Sequence, residues 1–504
     1  MTRGRVVMLV DNGVEGDSRV QKQARSAAAR GWDVTLLGVS PTAEVQSWTI
    51  GDATVRLVPL PSPLARRRHE YRRAPLRDPL AYPPGPLADY RLQLMRVRTA
   101  EVAAQRTAAR RARTSGPRRK VTLAALKARA LQLDSEQRWV ELRAEHSRDL
   151  SARRRAMDGR LDQLTTKAWT TLLGERAWRR LEPALFDFEL AFGPVLDELR
   201  PDLVHANDDR MLGVGARAVA RARAAGRTAS LVWDSHEFLP GKHVYQAHPR
   251  WLPARMAHEA EYAGAADAVV TVSEMMVELL VDTYHLTTTP VIVRNAPTVG
   301  LDAPPDPEPG IRELCGLADD VPLVVYAGAV APQRGIDVMV EALAQLPDVH
   351  VALLARPSRW VNDLKRQAKA LGAADRFHVH PYVPVDRICR HLASADVGVT
   401  PSLHYLNHEV DLPTKYYEFV QARLPLVVSD LTTTSETTRR LGNGEVFVAG
   451  DADDYARALR LVLADPQRYR AAYDTHAELL ASWMWEPQAD VLDAVYASLV
   501  PSAT

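Results

Sequence analysis

Cysteine is nearly missing from this sequence: Cys315 and Cys389 are the two among 504 residues. Two thiols build no disulfide framework, and their spacing offers no thiolate metal site, so a reducing compartment is expected. Long apolar runs are missing as well. Nothing approaches the roughly 20 continuous apolar residues of a membrane span. The apolar segment after Met1-Thr2-Arg3-Gly4-Arg5 is about six residues long, shorter than a secretory h-region. Neither an integral membrane protein nor an exported one is expected, which leaves a cytoplasmic location. Charge of one sign is scarce overall, at a net +2, and 46% hydrophobic with 25% charged residues is ordinary globular composition. A wholly disordered chain is excluded. The length calls for two or three domains.

The small net charge conceals an asymmetry. Ala65–Glu182 holds 26 Arg and 3 Lys against 13 acidic residues, a net +16 that leaves −14 for the remainder. A strongly basic segment is set into an acidic protein.

The start of the chain reads as β-α-β. Arg5–Val10 is a short apolar run suited to a strand buried on both faces. The loop Asp11–Asp17 follows, then a helix over Ser18–Arg30 with Asp17 or Ser18 as N-cap, Gly31 as stop, and a strand at Asp33–Leu37. After a strand near Thr54–Val58 the texture changes. Prolines from Pro59 to Pro86 punctuate an Arg-rich stretch, and Leu87–Arg113 and Val121–Arg180 read as long helices. Leu123, Leu126, Leu131, Leu133, Trp139 and Leu142 are expected on one packed face. Strands resume at Pro201–His205, Ser230–Asp234, Ala268–Val272 and Val291–Val293.

Thr298–Gly310 has linker composition. A second strand, glycine loop and helix opening follows at Pro322–Tyr326, Ala327–Gly335 and Ile336–Gln345, with further short strands at Val349–Leu354, Phe377–Val379, Val397–Val399, Leu426–Val428 and Glu445–Val448. The fold expected is α/β: two Rossmann-like domains facing a cleft, with a long basic helical insertion in the first. The boundaries are 1–297 for the first domain with 65–182 inserted, 298–310 for the linker, 311–480 for the second domain, and 481–504 for a terminal helix returning to the first.

The order of the motifs resembles family-4-type retaining glycosyltransferases of GT-B fold. The matching residues are Asp17-Ser18-Arg19-Val20, Gly31-Trp32-Asp33-Val34, Asp234-Ser235-His236-Glu237, Val272-Ser273-Glu274, Arg294-Asn295-Ala296-Pro297, Arg334-Gly335 and Leu412-Pro413-Thr414-Lys415-Tyr416-Tyr417-Glu418. They span about Arg5–Gly51 and Pro201–Asp465 and omit the basic insertion.

The resemblance implies transfer of a hexosyl unit from a nucleotide diphosphate sugar to an acceptor hydroxyl, with retention and without a metal. Glu418, one turn into a helix, stands where the family grips the nucleotide ribose. Arg334 stands where a lysine holds the diphosphate, beside Gly328 and a helix start that favours anions. Ala329 replaces the family's second cation, and Lys415 is the substitute nearest to hand. The family's partner glutamate is Val410 here, which leaves Glu409 or Asp411 to meet the donor sugar. Leu412, Pro413 and Thr414 complete the expected donor site. His236, as a neutral imidazole at a strand's carboxyl end, is expected to orient the acceptor. Gly13, Gly16, Arg19, His205, Asp208 and Glu237 are expected around it. His236, Arg334 and Lys415 are the residues placed at the chemistry, and no metal or cofactor is expected. Asp451-Ala452-Asp453 has the spelling of a metal motif but lies after the last core strand.

Two other readings use the same fold: a sugar-nucleotide epimerase, and a degenerate homologue that binds without reacting, suggested by Val410, Ala329 and Arg356. The insertion suits a solvated or self-associating helical arm, or an anionic membrane on the inner face, more than nucleic acid. The acceptor classes are carbohydrate, lipid-linked or small-molecule.

Overall fold

The computed structural model describes residues 3–61, 79–83, 85–111, 117–242, 248–298, 309–384 and 387–500. Most of the expected linker, and the proline-punctuated stretch at 62–78, lie outside these. The chain divides into two compact units. The larger comprises Met1–Pro61, Phe188–Val244 and Arg255–Thr504; the smaller comprises Ser62–Asp187 and Tyr245–Ala254.

The larger unit holds two sheets. In the first, β1 (Arg5–Leu9), β2 (Asp33–Ser40), β3 (Gln46–Ile50), β4 (Ala53–Pro59), β5 (Leu203–Asn207), β6 (Ser230–Asp234), β7 (Ala268–Thr271) and β8 (Val291–Ile292) lie in the order β3-β4-β2-β1-β5-β6-β7-β8. All neighbours are parallel except β3 and β4. In the second, β9 (Leu323–Ala327), β10 (His350–Leu354), β11 (Phe377–His380), β12 (Val397–Thr400), β13 (Leu426–Ser429) and β14 (Gly444–Phe447) form a parallel sheet ordered β11-β10-β9-β12-β13-β14. In both, the order reverses beside the first strand, so the loops after β1 and β9 open at a switch point where such sheets place ligands.

Continuous apolar strands fit this placement. Every residue of β5, β6 and β9 is buried, as a sheet covered by helices on both faces requires. The Ser18–Ala29 helix packs Val20, Ala24, Ala27 and Ala28 into the first core, with Asp17 capping through Val20 N. Trp485–Leu499 adds Trp485, Leu492 and Tyr496 to the same core, and Asp493 accepts from Arg3 and from Trp32 Nε1.

Three sequence expectations change. The antiparallel strand β3 was not anticipated; it pairs with β4 through the two-residue turn Gly51-Asp52, Gly51 at φ 57°. The helix expected over Ile336–Gln345 is α-helical only over Asp337–Glu341 and continues as a 3-10 turn. In the smaller unit, Leu87–Arg111 and Pro117–Ala156 run antiparallel, with Met95, Val102 and Leu133 buried between them and Arg98 paired to Glu136 at 3.0 Å. The packed positions of the second helix are Leu123, Leu126, Ala130, Leu133, Val140 and Ala144, a 3–4 spacing. Leu131, Trp139 and Leu142 fall off that stripe and are exposed.

Candidate active site

Between the carboxyl ends of the two sheets lies a cavity of about 390 Å³. From the first domain it receives His236, Glu237, Gly241, Lys242 and Asn295; from the second it receives Gly328, Arg334, Tyr382, Asn407, Asp411, Thr414, Lys415 and Glu418. Hydrogen bonds tie the domains at its rim. Asn295 Nδ2 donates to Thr414 Oγ1 at 2.9 Å, Phe238 N to Asn407 Oδ1 at 3.0 Å, and Ser273 Oγ to the Val410 carbonyl at 2.7 Å.

The second domain supplies two cations and two carboxyls. Arg334 ends a short 3-10 turn, and Gly335 behind it sits at φ 61° with the Pro401 carbonyl 2.1 Å from where a Cβ would stand. No other residue closes that turn without moving the backbone. Lys415 and Glu418 lie on one face of the helix Thr414–Gln421, both buried. Burial and the neighbouring Arg334 bring the Lys415 ammonium down to about 7, with Glu418 opposing. Burial likewise raises Glu418, against the pull of Lys22 and Lys415. Asp411 is pushed up to about 7 by burial, and its Oδ1 has no hydrogen-bond partner among the described residues. A desolvated carboxyl with an unfilled acceptor is suited to meeting a ligand hydroxyl.

The first domain supplies a network centred on Asp234. Its carboxylate is gripped by Arg19, with Nε to Oδ2 at 2.9 Å and Nη2 to Oδ1 at 3.0 Å, and accepts from Gln23 Nε2 at 2.5 Å. His205 Nε2 approaches at 3.5 Å and His236 Nδ1 at 3.6 Å. Burial disfavours the Asp234 anion, yet Arg19 and the two histidines hold it well below the usual carboxylate range. His236 Nε2 lies 3.4 Å from Asp208, which reaches it from a left-handed backbone, φ 62°, at the start of the helix after β5. Burial would lower His236, but Asp208 and Asp234 outweigh it and lift the imidazole to about 9. The sequence suggested a neutral imidazole; here His236 lies between two carboxyl groups, which favour its protonated form, while burial pushes Asp208 itself up to about 7.

The structure brings most of the residues singled out in the sequence into the cavity and sets others apart. His236, Glu237, Gly328, Arg334, Asp411, Pro413, Thr414, Lys415 and Glu418 line it. Glu409 does not. It accepts from Thr432 N and Oγ1 at 2.7 and 2.8 Å and pairs with His404, so the carboxylate at the cavity is Asp411. Val410 also lines the cavity, where its apolar side chain packs against the core of the first domain and leaves no charge at that position. Leu412 is core. Arg19 and His205 are buried behind the site, His205 bonded to Tyr496 Oη at 2.6 Å. Asp208 touches His236 without lining the cavity. Gly13 and Gly16 also lie off it; beside Gly16, at φ 79°, the guanidinium of Arg356 fills the space of a side chain. Asp451 caps the following helix through Asp453 N and Asp454 N, both at 2.9 Å, and does not line the cavity.

Several lining residues escaped the sequence reading. Lys242, ion-paired with Glu237, and Tyr382 come from loops that no spacing ties to the motifs. Asn295, within Arg294-Asn295-Ala296-Pro297, also lines the cavity. It also accepts from Lys22 Nζ at 2.9 Å, a buried lysine on the first helix. The Asn295-Thr414 bond across the rim is a tertiary event with no local signature.

Two Rossmann-like sheets opening onto one cavity lined by cations and carboxyls define the GT-B class of fold. Residues 311–478 match the family described as glycosyl transferases group 1, and residues 156–296 match glycosyltransferase family 4. Among similar proteins, a D-inositol 3-phosphate glycosyltransferase of Geodermatophilus obscurus is 27% identical over 256 residues, 48% of this chain and 55% of the relative. A GDP-mannose-dependent phosphatidylinositol monomannoside mannosyltransferase of Mycolicibacterium smegmatis is 29% identical over 188 residues, 36% and 49% of the two chains. The chain spans about half the length of the curated relatives it matches. A sucrose-phosphate synthase from Thermosynechococcus elongatus shares the fold at TM-score 0.61 and 15% identity, over 99% of this chain and 100% of that one. Anabaena HepE, solved with UDP and glucose, does so at 0.57 and 14%, over 98% and 100%. The chain belongs to the family-4-type glycosyltransferases of GT-B fold.

Proposed function

We propose that the protein transfers a hexosyl unit from a nucleotide diphosphate sugar to an acceptor hydroxyl, with retention and without a catalytic metal. The observation that carries this is the placing of Arg334 and Lys415 in one cavity, with the buried Glu418 one turn further along the same helix as Lys415. Glu418 accepts from the ribose diol. Arg334 and Lys415 face the diphosphate. As the anomeric C–O bond breaks, the leaving diphosphate gains charge, and two fixed cations in a desolvated cleft favour that stage over the ground state. Asp411, with its free oxygen, meets a donor-sugar hydroxyl. His236, held as an imidazolium by Asp208 and Asp234, donates to a sugar or acceptor oxygen from the opposite wall. The acceptor enters on the face the leaving group departs from, and its proton passes to a phosphate oxygen.

The relatives named for inositol phosphate and phosphatidylinositol mannoside make polyol phosphates and lipid-linked sugars the acceptors to try first. A membrane-surface acceptor also fits the helix Arg160–Leu173. None of its residues is buried, and Leu161, Leu164 and Leu172 are exposed at 78%, 63% and 74% on one stripe flanked by Arg160 and Lys167. Such a face, in a segment of net +16, suits an anionic bilayer surface.

The test is incubation of the whole chain with a panel of UDP- and GDP-sugars, with and without acceptors. Slow donor hydrolysis, accelerated to transfer by an acceptor, supports the proposal. Interconversion of donors without acceptor indicates an epimerase, and binding without turnover indicates a degenerate homologue; either overturns it.

A further inference from the structure

Away from the cavity, at the β11 edge of the second sheet, three histidines and a cysteine share one face. His378 and His380 alternate on β11 and so project the same way. His378 stands opposite Ala352 of β10 and His380 opposite Leu354; His350, two residues before Ala352, lies on the same side. Cys315 reaches this face from the end of the short helix Ile311–Leu314, whose Ile311 packs in one core with Ala352 and Leu354.

The polar atoms of this group are turned toward one another. Cys315 Sγ is 3.4 Å from His380 Nε2, and His350 Nδ1 is 3.0 Å from His378 Nε2. The imidazole planes of His350 and His378 are 15° apart, those of His378 and His380 14° apart. One ligand atom each from Cys315, His378 and His380 falls within 4.8 Å of the others, and all three residues are half-buried, so an ion has a route in.

We propose that Cys315, His378 and His380 bind a zinc-class divalent cation, with His350 as the hydrogen-bonded support of His378. One thiolate and two imidazoles are a borderline-soft donor set that suits zinc more than magnesium or calcium. A tetrahedral zinc site holds such donors about 3.3–3.6 Å apart; the Cys315-His380 pair already has that separation. The fourth position is left to water. The outer imidazole, His350, is the kind of partner that fixes a ligating ring. Binding pins the start of the second domain to its edge strand. No pair of these ligands except His378 and His380 is close in sequence, which is why cysteine counting excluded a thiolate site.

The test uses the untagged full chain, stripped with chelator and titrated with Co²⁺. The expected result is one equivalent bound with a thiolate-to-cobalt charge-transfer band, displaced by an equivalent of Zn²⁺. The band is lost in Cys315→Ser and in His380→Ala; in His350→Ala it remains, with affinity weakened about 10–100-fold. In unmutated protein, Zn²⁺ should also slow alkylation of Cys315 while the buried Cys389 serves as reference. Absence of the band, its survival in His380→Ala, or alkylation indifferent to Zn²⁺ overturns the proposal and leaves a thiol–imidazole hydrogen bond only.

Discussion

Arg19 and Asp234 form a two-pronged ion pair, at 2.9 and 3.0 Å, with side chains exposed by only 2% and 0%. The pair joins the first helix to the end of β6 and faces His236 with a fixed negative charge. Breaking a buried pair from one side strands the other charge, at a cost of about 3–5 kcal/mol. Arg19→Ala is therefore expected to lower unfolding stability by that order in denaturant titration, while Lys415→Ala, in the cavity wall, is not. Equal stability of the Arg19 variant and the parent would show the pair to contribute nothing.

The imidazolium of His236 sets a pH dependence. Its folded value, about 9, lies above the ordinary 6.5, so the folded state binds the proton more tightly. The stabilisation is lost as pH rises through about 9, and because burial pushes Asp208 up to about 7 the pair also loses its carboxylate as pH falls through that value, so it is strongest between about 7 and 9. Asp234→Asn removes one of the two carboxylates and should move the NMR titration of His236 downward. An unshifted titration would assign the effect to Asp208 alone.

Glu418→Gln should weaken nucleotide-sugar binding by about 1.5–3 kcal/mol, the worth of a hydrogen bond to a charged group, with the fold retained. Calorimetry with the donor, alongside circular dichroism, checks both halves. Unchanged donor affinity and turnover would remove Glu418 from the site.

At the diphosphate, charge matters before fork geometry, so Arg334→Ala should lose more turnover than Arg334→Lys. Omitting Mg²⁺ and Mn²⁺ should leave the parent rate unchanged. A rate restored only by either ion would contradict the metal-free chemistry.

Lys415 gives the same site a second, independent readout. Its ammonium is brought down to about 7 by burial and the neighbouring Arg334. A bound diphosphate favours the charged form, so donor binding at about pH 8 should take up protons. Calorimetry in buffers of different ionisation enthalpy measures that uptake, and Lys415→Met should abolish it.

Replacing Ala65–Glu182 by a short linker should leave a folded, donor-binding protein, because both sheets and both cores are built from other residues. Flotation with anionic vesicles should be lost with the segment and should weaken steeply with salt in the parent. Loss of donor binding in the deletion variant would place the segment within the core.

What the sequence alone determined is the set of local features whose physics is local. Buried parallel strands are continuous apolar runs, so most strands were legible to within two residues, and Ser230–Asp234 coincides with β6. The same rhythm places loops after strands and marks helix starts, while Arg334, Lys415, Glu418 and His236 were singled out there by the resemblance of the motifs to the glycosyltransferase family. The strand β3 alternates in burial and carries polar residues, so it lacks that signature. Tertiary structure decided what depends on meeting across the chain. Glu409 and Asp411 are two residues apart and chemically alike; Thr432, on another helix, and His404 draw the first away, and the second faces the cavity. The protonated form of His236 is favoured because Asp208 and Asp234 converge on it from two strand ends, a meeting that spacing does not encode. The Cys315, His378 and His380 cluster exists only because parallel pairing and one short helix bring distant residues to a single sheet edge.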